Sequence, residues 1–451
     1  MLEGKTTTLS KWALLSAVLG LIFILQTTVL QDATTSKEKL RQIFSISQWG
    51  WNLEVNNTAI ITCDRSNQRF DICSMSNPTL LDPTSLTLFT LNPHTRIQPY
   101  INVKIQPYPL KSDKNAMSSV REVTLTSAPP KSSQCGVTHN IPALVFNARG
   151  YNGNFYHEIN DIFIPLFITI NSLFHDQDVI LVIVDGMTWW YQKYVDLLNA
   201  FSPNHKIINT NNLTTAHCFP SAVVGLIKHG PVTINPKLLP NPKTLLDFST
   251  FLKNAYIKED TPLLFPSNNS KPLLTLVDRK GSSSRVILNQ EEVVKLAKEV
   301  GFNVHVLDHS KDSTMANVYR LVHSSHVLLG VHGAGLTNLF FLRQGSVVVQ
   351  VVPIGLEWAS DTCYKNPSPF LGLEYVEYKV EANESSLSWD YGVDSLMVKD
   401  PKAYTEGKWE KSIVYLKNQN VKIDLVRFKK WLMKAYEKAK MFMNSTSQVA
   451  S

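Results

Sequence analysis

Two groups of polar residues in this sequence have the types and the spacing for chemistry. The first lies in YNGNFYHEINDIFIPL, which carries His157, Glu158 and Asp161. On a helix His157 and Asp161 share a face, whereas Glu158 points about 100° away. A carboxylate that orients an imidazole is a general acid–base arrangement, although such pairs also occur as surface or capping contacts. The position of the pair in the fold decides between these interpretations.

The second group lies in HVLLGVHGAGLTNLFFLRQGSVVVQVVP, residues 326–353. The pattern predicts a buried parallel strand, a turn with His332, Gly333, Ala334 and Gly335, a short helix and a second buried strand. In such a unit, glycines let the backbone approach a ligand, and the helix start offers N–H groups to an anion. His332 would then donate to a phosphate. The alternative is a tight turn with a hydrogen-bonded core histidine.

Arg279 and Arg285 would join this second group. Both follow the predicted strand LLTLVD, in DRKGSSSRVILN, and so stand at the carboxyl end of its sheet. Guanidinium groups bind diphosphates through paired hydrogen bonds. Two solvated surface arginines are the alternative, and the position in the loop favours a phosphate site.

The pattern does not support a metal site. DQD, from Asp176 to Asp178, resembles an acidic motif that holds a divalent metal in one class of transferases, but it precedes the strand VILVIVD and so lies at the wrong end. His323 and His326 lack partners at the spacing of a zinc site. We therefore predict neither a metal nor a cofactor.

Strands and helices alternate on both sides of a Pro- and Asn-rich linker near residues 258–272. Before it come the strand PALVFN, the helix NFYHEINDIFIPLFITINSLF, the strand DVILVIVDG and the helix WWYQKYVDLLNAF. After it come the strands LLTLVDRK, NVHVLD, HVLLGV and SVVVQVV. This alternation is typical of parallel α/β sheets. We predict two Rossmann-like domains, 61–258 and 272–415, which face a cleft.

Three further elements complete the predicted fold. Residues 76–134 predict short alternating strands, among them SLTLFTL and REVTLTS. A helix begins at the N-cap Asn289, with Glu292 completing a capping box, and ends at Gly301. Residues 416–443 form a last helix whose apolar face packs against the body or, alternatively, lies on a membrane surface.

The chain has the composition of a globular protein with a membrane anchor. Its 451 residues are 44% hydrophobic and 18% charged, and the net charge of +7 implies no general nucleic-acid surface. Residues 12–30 form an apolar stretch of about the length that spans a bilayer. We predict an uncleaved signal anchor between a cytoplasmic tail, 1–11, and a stem, 31–60. A cleaved signal peptide is the alternative.

Sequons and cysteines favour a luminal body for the chain after the anchor. The five cysteines allow one bridge between Cys63 and Cys73 and a second between Cys135 and Cys218, which leaves Cys363 unpaired. Five Asn-x-Ser/Thr sequons follow the apolar stretch, at Asn56, Asn212, Asn268, Asn383 and Asn444.

Six blocks, in this order, resemble the plant branch of glycosyltransferase family 61. They are ITCDRSNQRFDIC, THNIPALVFNARGYNGNFYHEINDIFIPLFIT, HCFPSAVVGL, RVILNQEEVV, VLLGVHGAGLTNLFFLRQGSVVVQVVPIGLEWAS and LEYVEYKVEANESSLSWDYG. The resemblance implies a type II Golgi membrane glycoprotein with a luminal body of GT-B-like fold. It also implies an inverting transfer from a UDP-sugar without a D-x-D metal. The plant members include xylan arabinofuranosyl- and xylosyltransferases and the N-glycan core β-1,2-xylosyltransferase.

The resemblance also implies roles for individual residues. The general base would be among His157, Glu158 and Asp161, in the acceptor-side domain. The donor side would use Arg279 and Arg285 on the UDP phosphates, a donor loop with His332, Gly333, Ala334, Gly335 and Asn338, and Glu357 on the sugar nucleotide. Two departures concern NARGYNGN, in place of a Ser-Thr-Gly-Gly type of sequence, and Cys363, where family members often have an aromatic residue. The first departure, NARGYNGN, borders the acceptor side of the cleft. It therefore affects what can be inferred about the identity of the acceptor more than what can be inferred about catalysis.

We therefore predict an inverting Golgi glycosyltransferase that transfers arabinofuranose or xylose from a UDP-sugar to xylan of the cell wall. The alternatives are an N-glycan core β-1,2-xylosyltransferase and a catalytically silent glycan-binding or complex-organising subunit. Retention of both arginines and of the H-E-x-N-D block argues against silence. The donor sugar, the linkage, the identity of the base and any association with itself or with other Golgi transferases stay open.

Overall fold

The computed structural model describes most of the chain after residue 59. The described ranges are 60–91, 99–130, 134–174, 177–211, 213–257, 271–279, 281, 284–308 and 314–449. The predicted tail, anchor and nearly all of the stem lie outside these ranges, as does most of the predicted linker. In the described part of the chain, no helix combines the length and the apolarity that a bilayer crossing requires.

The strands of the first half form two six-stranded sheets. They are β1 Ile61–Asp64, β2 Ile72–Met75, β3 Thr79–Asp82, β4 Thr87–Thr90, β5 Asn102–Ile105, β6 Val123–Thr126, β7 Val137–Thr138, β8 Ala143–Asn147, β9 Ile180–Val184, β10 Ile208–Asn209, β11 His217–Phe219 and β12 Ala222–Val224. The first sheet has the order β1-β2-β12-β8-β9-β10, and its last four strands are parallel. The second sheet, β5-β6-β4-β3-β11-β7, is mixed.

Both faces of the first sheet are covered. Leu144, Phe146 and Leu181 pack in the core formed with the helices, whereas Val145 and Val182 pack against the second sheet. Because strands buried on two faces consist mainly of apolar residues, β9 is the uninterrupted run ILVIV, and β8 is the run ALVFN, apolar up to Asn147.

The strands of the second half form one parallel sheet of order β14-β13-β15-β16-β17. They are β13 Leu273–Val277, β14 Asn303–Leu307, β15 Val327–Val331, β16 Val347–Val352 and β17 Glu374–Lys379. The first four were predicted from their apolar runs. The edge strand β17 was not, because EYVEYK alternates charged and aromatic residues and is buried only at every second position toward its end.

Helices connect these strands. They are α1 Lys114–Met117, α2 Phe155–His157, α3 Ile164–Leu173, α4 Thr188–Phe201, α5 Leu245–Tyr256, α6 Gln290–Val300, α7 Met315–Ser324, α8 Glu357–Ser360, α9 Ser386–Tyr391, α10 Leu396–Lys399, α11 Pro401–Thr405, α12 Trp409–Lys417 and α13 Leu425–Val449. Short 3-10 helices cover Pro236–Leu238, Ala334–Phe341, Ser368–Leu371 and Ala382–Glu384, and π-helical turns cover Glu158–Phe163 and Asp361–Lys365.

The helix that carries His157 is not α-helical throughout, contrary to the prediction. A π-helical turn, Glu158–Phe163, separates α2 from α3, and the amide of Ile164 donates to the carbonyl of Ile159, five residues back. Pro165 follows and has no N–H, so an α-helical hydrogen-bond ladder is interrupted there in any case.

Three other helix predictions need correction. The helix after β15 is a 3-10 helix, Ala334–Phe341. Asn289 precedes α6 but does not cap it, because its side chain bonds the backbone N–H and carbonyl of Ile423, 2.9 Å each. The last helix begins at Leu425 and continues to Val449, whereas the segment predicted from residue 416 starts inside α12. Its apolar face is buried against the body, with Phe428, Leu432 and Ala435 at 0% exposure.

The two halves share one apolar core. Phe248 of α5 contacts Phe340, and Phe155 of α2 contacts Phe341, each with ring centroids 5.8 Å apart. The hydroxyl of Ser249 donates to the carbonyl of Phe340 at 3.0 Å. The α2 segment of the first half therefore packs directly on the 3-10 helix that follows β15. The division into domains at 61–258 and 272–415 stays a prediction.

Two disulfides lie in the first half. Cys63 and Cys73 stand opposite each other on the paired strands β1 and β2, and Cys135 is bonded to Cys218 of β11. Cys363 is a free thiol in the π-helical turn after α8.

Candidate active site

Two partly buried arginines converge on the loop after β15. A Cβ placed on Gly333 would come within 2.5 Å of Nη1 of Arg279 and 3.4 Å of Nη1 of Arg285, so only glycine leaves room for these guanidinium groups. Arg279 donates to the carbonyl of Ser284 through Nε and Nη2, at 3.3 and 3.2 Å. Arg285 donates through Nη1 to the carbonyl of His332 at 3.2 Å. We call this pair with its loop the arginine cradle.

The arginine cradle holds positive charge without a counter-ion. Among the described residues, no carboxylate lies within ion-pair distance of Arg279 or Arg285. Burial lowers the pKa of Arg285 to about 10, and the neighbouring Arg279 lowers this pKa as well. Nε of Arg285 is buried without a hydrogen-bond partner in the described structure. Two desolvated cations side by side are a site for an anion with several acceptor oxygens.

His332 supports the cradle as a neutral ring. Its Nδ1 lies 2.9 Å from Nε2 of Gln350, whose Oε1 accepts from the hydroxyl of Tyr375 at 2.8 Å. The amide of Gln350 therefore donates to Nδ1, and the ring proton is on Nε2. Burial, followed by the charges of Arg285 and Arg279, lowers the pKa of His332 to about 3. The structure thus shows a hydrogen-bonded core histidine whose carbonyl holds Arg285.

The remaining donor-loop residues occupy the turn and the first residues of the 3-10 helix. Nδ2 of Asn338 donates to the carbonyl of Gly335 at 2.7 Å, and the hydroxyl of Tyr364 donates to the carbonyl of Gly333 at 2.7 Å. Ala334 and Gly335 lie in the first turn, where backbone N–H groups lack partners within the helix. Glu357 is exposed at the start of α8, beyond the carboxyl end of β16. In the described part of the chain, no hydrogen bond or ion pair connects it to the cradle.

The predicted acid–base pair forms in the first half of the chain, across the junction between the two halves. Nδ1 of His157 lies 2.6 Å from Oδ2 of Asp161. The side chain of Asp161 is fully buried, whereas that of His157 is 25% exposed. Oδ1 of Asp161 accepts from Nδ2 of Asn160 at 2.6 Å and pairs with the amine of Lys228. Because both oxygens of Asp161 are engaged, the group that can face a substrate is His157, through Nε2.

Lys228 is a member of this cluster that the sequence analysis did not identify. It is nearly as buried as Asp161, with a side-chain exposure of 3%, and the two form an ion pair. A lysine in the apolar run VVGLIKHG was the available signal, since a lone charge in such a run needs a buried partner. We call His157, Asp161 and Lys228 the histidine cluster.

Glu158 points away from the histidine cluster. Its Oε1 accepts from the backbone N–H of Gly153 at 2.8 Å, and its Oε2 accepts from the indole N–H of Trp190. Burial raises the pKa of Glu158 to about 7, against the two hydrogen bonds from Trp190 and Gly153, which lower it. Its contacts make Glu158 an anchor for the loop before α2.

An aromatic bridge connects the histidine cluster to the arginine cradle. The ring of Tyr156 lies 5.4 Å from that of His157 and 6.2 Å from that of Tyr364, between centroids. Tyr364 in turn contacts the ring of His332 at 5.5 Å. Burial raises the pKa of the Cys363 thiol, next to Tyr364 in the chain, to about 11. The two groups of chemically active residues therefore flank one junction between the halves.

The other predicted sites fall away from this junction. Asp178 lies before β9, where it pairs with His205 at 2.9 Å. The sequon residues Asn383 and Asn444 are exposed, whereas Asn56, Asn212 and Asn268 lie outside the described residues. Within the described ranges, no group of three His, Cys, Asp or Glu side chains could hold a metal ion. The expectation of metal-free catalysis stays a prediction.

Comparisons with known proteins place this chain in a family. The model of the family described as Glycosyltransferase 61 matches residues 155–349. Xylan glycosyltransferase MUCI21 of Arabidopsis thaliana is 37% identical over 399 residues, which are 84% of this chain and 80% of the relative. From Oryza sativa subsp. japonica, beta-1,2-xylosyltransferase XYXT1 is 33% identical, covering 74% and 71%. Alpha-1,3-arabinosyltransferase XAT3 of the same rice is 33% identical over 83% of this chain and 65% of its own length.

Proposed function

The chain belongs to the glycosyltransferase 61 family, and we propose that it transfers a pentose, arabinofuranose or xylose, from a UDP-sugar to a xylan-type polysaccharide. Its plant relatives are named as a xylan glycosyltransferase, as xylosyltransferases and as arabinosyltransferases. These names do not favour N-glycan xylosylation or a silent subunit. The observation that carries the proposal is a pair of partly buried arginines, with no ion-pair partner among the described residues, across a junction from a His–Asp pair.

The donor side would act through charge. The diphosphate of a UDP-sugar would enter the arginine cradle and supply the missing counter-charge to Arg279 and Arg285. Charge-assisted hydrogen bonds to the phosphate oxygens strengthen as the bond to the anomeric carbon breaks, because negative charge then grows on the leaving UDP. The first-turn N–H groups of Ala334 and Gly335 would add to this stabilisation.

On the acceptor side we assign His157 as the general base. Nδ1 is held by Asp161, so the lone pair of Nε2 is available for the proton of an acceptor hydroxyl. Asp161 would orient the imidazole and stabilise the imidazolium that forms, as the aspartate does in a catalytic triad. Lys228 would hold the carboxylate of Asp161 in place through their ion pair.

The reaction would be a single displacement. The acceptor oxygen forms a bond to the anomeric carbon while the bond from that carbon to the UDP oxygen breaks. The acceptor proton passes to Nε2 of His157, and UDP leaves with the electron pair, so the configuration inverts. No step needs a metal.

The proposal extends to the setting of the enzyme. The parallel sheets of the two halves would face each other as in a GT-B-like fold, and residues 12–30 would anchor a luminal body in the Golgi membrane. Two disulfides and exposed sequon residues at Asn383 and Asn444 support an oxidising lumen. Endoglycosidase treatment should shift the mobility of the membrane-bound protein, and a glycan-free protein open to protease on the cytosolic side would overturn this topology.

A donor and acceptor panel tests the activity. UDP-arabinofuranose, UDP-xylose and UDP-N-acetylglucosamine would each be offered with xylo-oligosaccharides and with N-glycans. We expect transfer of a pentose to xylo-oligosaccharides, with an anomeric configuration opposite to that of the donor. Transfer only to N-glycans would show that the acceptor is an N-glycan and not a xylan-type polysaccharide. Absence of both transfer and UDP binding would favour the silent subunit.

A further inference from the structure

One tryptophan is uncovered near the candidate base. Trp189, in the first turn of α4, is 44% exposed, whereas its neighbour Trp190 is buried. Among the described residues between 60 and 257, Trp189 is the single aromatic residue in the exposed class. Exposure alone would need no explanation, because isolated apolar side chains are common on surfaces. The location of this indole near the candidate base is what suggests a function.

The topology of the first sheet places Trp189 beside the catalytic edge. Because β8 and β9 are adjacent and parallel, the loops that follow them, 148–154 and 185–187, emerge side by side at the carboxyl edge. The first loop leads to His157 and the second to Trp189. A Cβ placed on Gly153 would lie 3.8 Å from Cη2 of Trp189. The indole therefore borders the loop that precedes the base.

Side-chain contacts fix these two loops to each other. Arg149 donates through Nε to the carbonyl of Asp185 at 3.1 Å and forms an ion pair with its carboxylate at 3.0 Å. Nδ2 of Asn152 lies 3.6 Å from the sulfur of Met187. The ring of Tyr151 lies 4.4 Å from that of His157. The surface between Trp189 and His157 is therefore held in place before any ligand arrives.

We propose that Trp189, together with loop 148–154, forms the acceptor-binding platform. The flat faces of a β-xylopyranose ring present C–H groups, and its hydroxyls lie around the rim. An exposed indole can cover one such face, while Arg149 and Asn152 at its border can bond hydroxyls. A xylosyl unit stacked on Trp189 would hold a neighbouring unit at His157, so acceptors long enough to reach both positions bind better. This inference rests on the proposed xylan acceptor.

Kinetics with acceptors of graded length test the platform. For Trp189→Ala we expect the KM for a six-unit xylo-oligosaccharide to rise about five- to tenfold, while kcat and the KM for the UDP-sugar stay within twofold. Trp189→Phe, which keeps an aromatic face, should recover most of this loss. Trp389→Ala removes another exposed tryptophan, on α9, and should leave all constants unchanged. Thermal unfolding and UDP affinity check that the variants are folded.

The possible outcomes separate the platform from the proposed function. If wild type transfers to xylo-oligosaccharides and Trp189→Ala has the same KM at every length, the platform is wrong and the function stands. A loss in kcat at every length, or a weaker affinity for the donor, would also overturn it. If wild type uses no xylo-oligosaccharide, the proposed acceptor fails, and the platform fails with it.

Discussion

The arginine cradle and the histidine cluster are both largely shielded from solvent, but they balance charge in opposite ways. In the cradle, two cations share a space with no carboxylate from the described residues, and burial lowers the pKa of both. In the cluster, Asp161 contacts a lysine and an imidazole at once. An uncompensated buried charge costs free energy until an anion arrives, so the cradle is built to bind. A compensated cluster can accept a proton without leaving an isolated charge, so it is suited to proton transfer.

Removal of the base should give the largest effect on activity. His157→Ala should lower kcat by about 10²–10⁴-fold while UDP affinity stays unchanged, because the cradle is intact. Asp161→Asn should also lose transfer, whereas Glu158→Gln should be milder. The matched control is His205→Ala, since His205 also pairs with an aspartate and has 26% side-chain exposure, but lies at the far end of the sheet.

Rates of transfer and UDP titrations of the same variants check this assignment. If Glu158→Gln alone abolished transfer while His157→Ala retained it, Glu158 would be the base. The histidine cluster would then not be the proton-transfer group that is compared with the arginine cradle.

Removal of Lys228, the cation that pairs with Asp161, should give the next largest effect. Lys228→Met leaves Asp161 buried with one partner fewer, so the free energy of unfolding should fall by about 3–5 kcal/mol. The rate of transfer should also fall, because Asp161 would no longer be held in place beside His157. Chemical denaturation and the rate of transfer measure the two effects. Lys228→Arg should restore both.

A surface ion pair provides the contrast for Lys228. Lys104→Met breaks the exposed pair with Glu122 and should change stability by about 0–1 kcal/mol. An equally small change for Lys228→Met, with an unchanged rate of transfer, would show that Asp161 does not need the lysine.

Variants of the arginine cradle should lose affinity for UDP rather than stability. Arg279→Ala and Arg285→Ala should each weaken UDP binding about tenfold or more, since a charge-assisted hydrogen bond contributes roughly 1.5–3 kcal/mol. The stability of the ligand-free protein should change much less than in Lys228→Met, because no buried charge is left without its partner. Calorimetry with UDP and thermal unfolding measure both quantities. Arg121→Ala, at an exposed position, is the control. Unchanged UDP affinity in both variants would remove the arginines from the site.

The smallest predicted effect concerns Glu158 and pH. Burial raises the pKa of Glu158 to about 7 in the folded protein, above the ordinary value of 4.5. The folded state therefore holds a proton that the unfolded state releases, and this stabilisation is lost as pH rises through about 7. Between about pH 5 and pH 7, wild type should lose about 2 kcal/mol of stability relative to Glu158→Gln. Parallel unfolding curves for the two proteins across this range would contradict the assignment.

Local order in the sequence determined much of the fold. β8, β9, β13, β15 and β16 were all visible as mainly apolar runs, because a strand buried on both faces has few positions for a polar side chain. The contact of His157 with Asp161 was equally predictable, since residues four apart meet on a helix whatever surrounds it. The loop positions of Arg279 and Arg285 followed from the strand before them.

The tertiary structure decided which polar groups meet across long stretches of chain. Lys228 reaches Asp161 over 67 residues, and no periodicity relates the two. Asn289 looked like a cap, but Ile423, 134 residues later, takes its side chain instead. The convergence of Arg279 and Arg285 on Gly333 likewise depends on β13 and β15 being neighbours in the sheet. A short-range pattern records which side of an element is buried, whereas the partner of a buried polar group is chosen by the packing of distant elements.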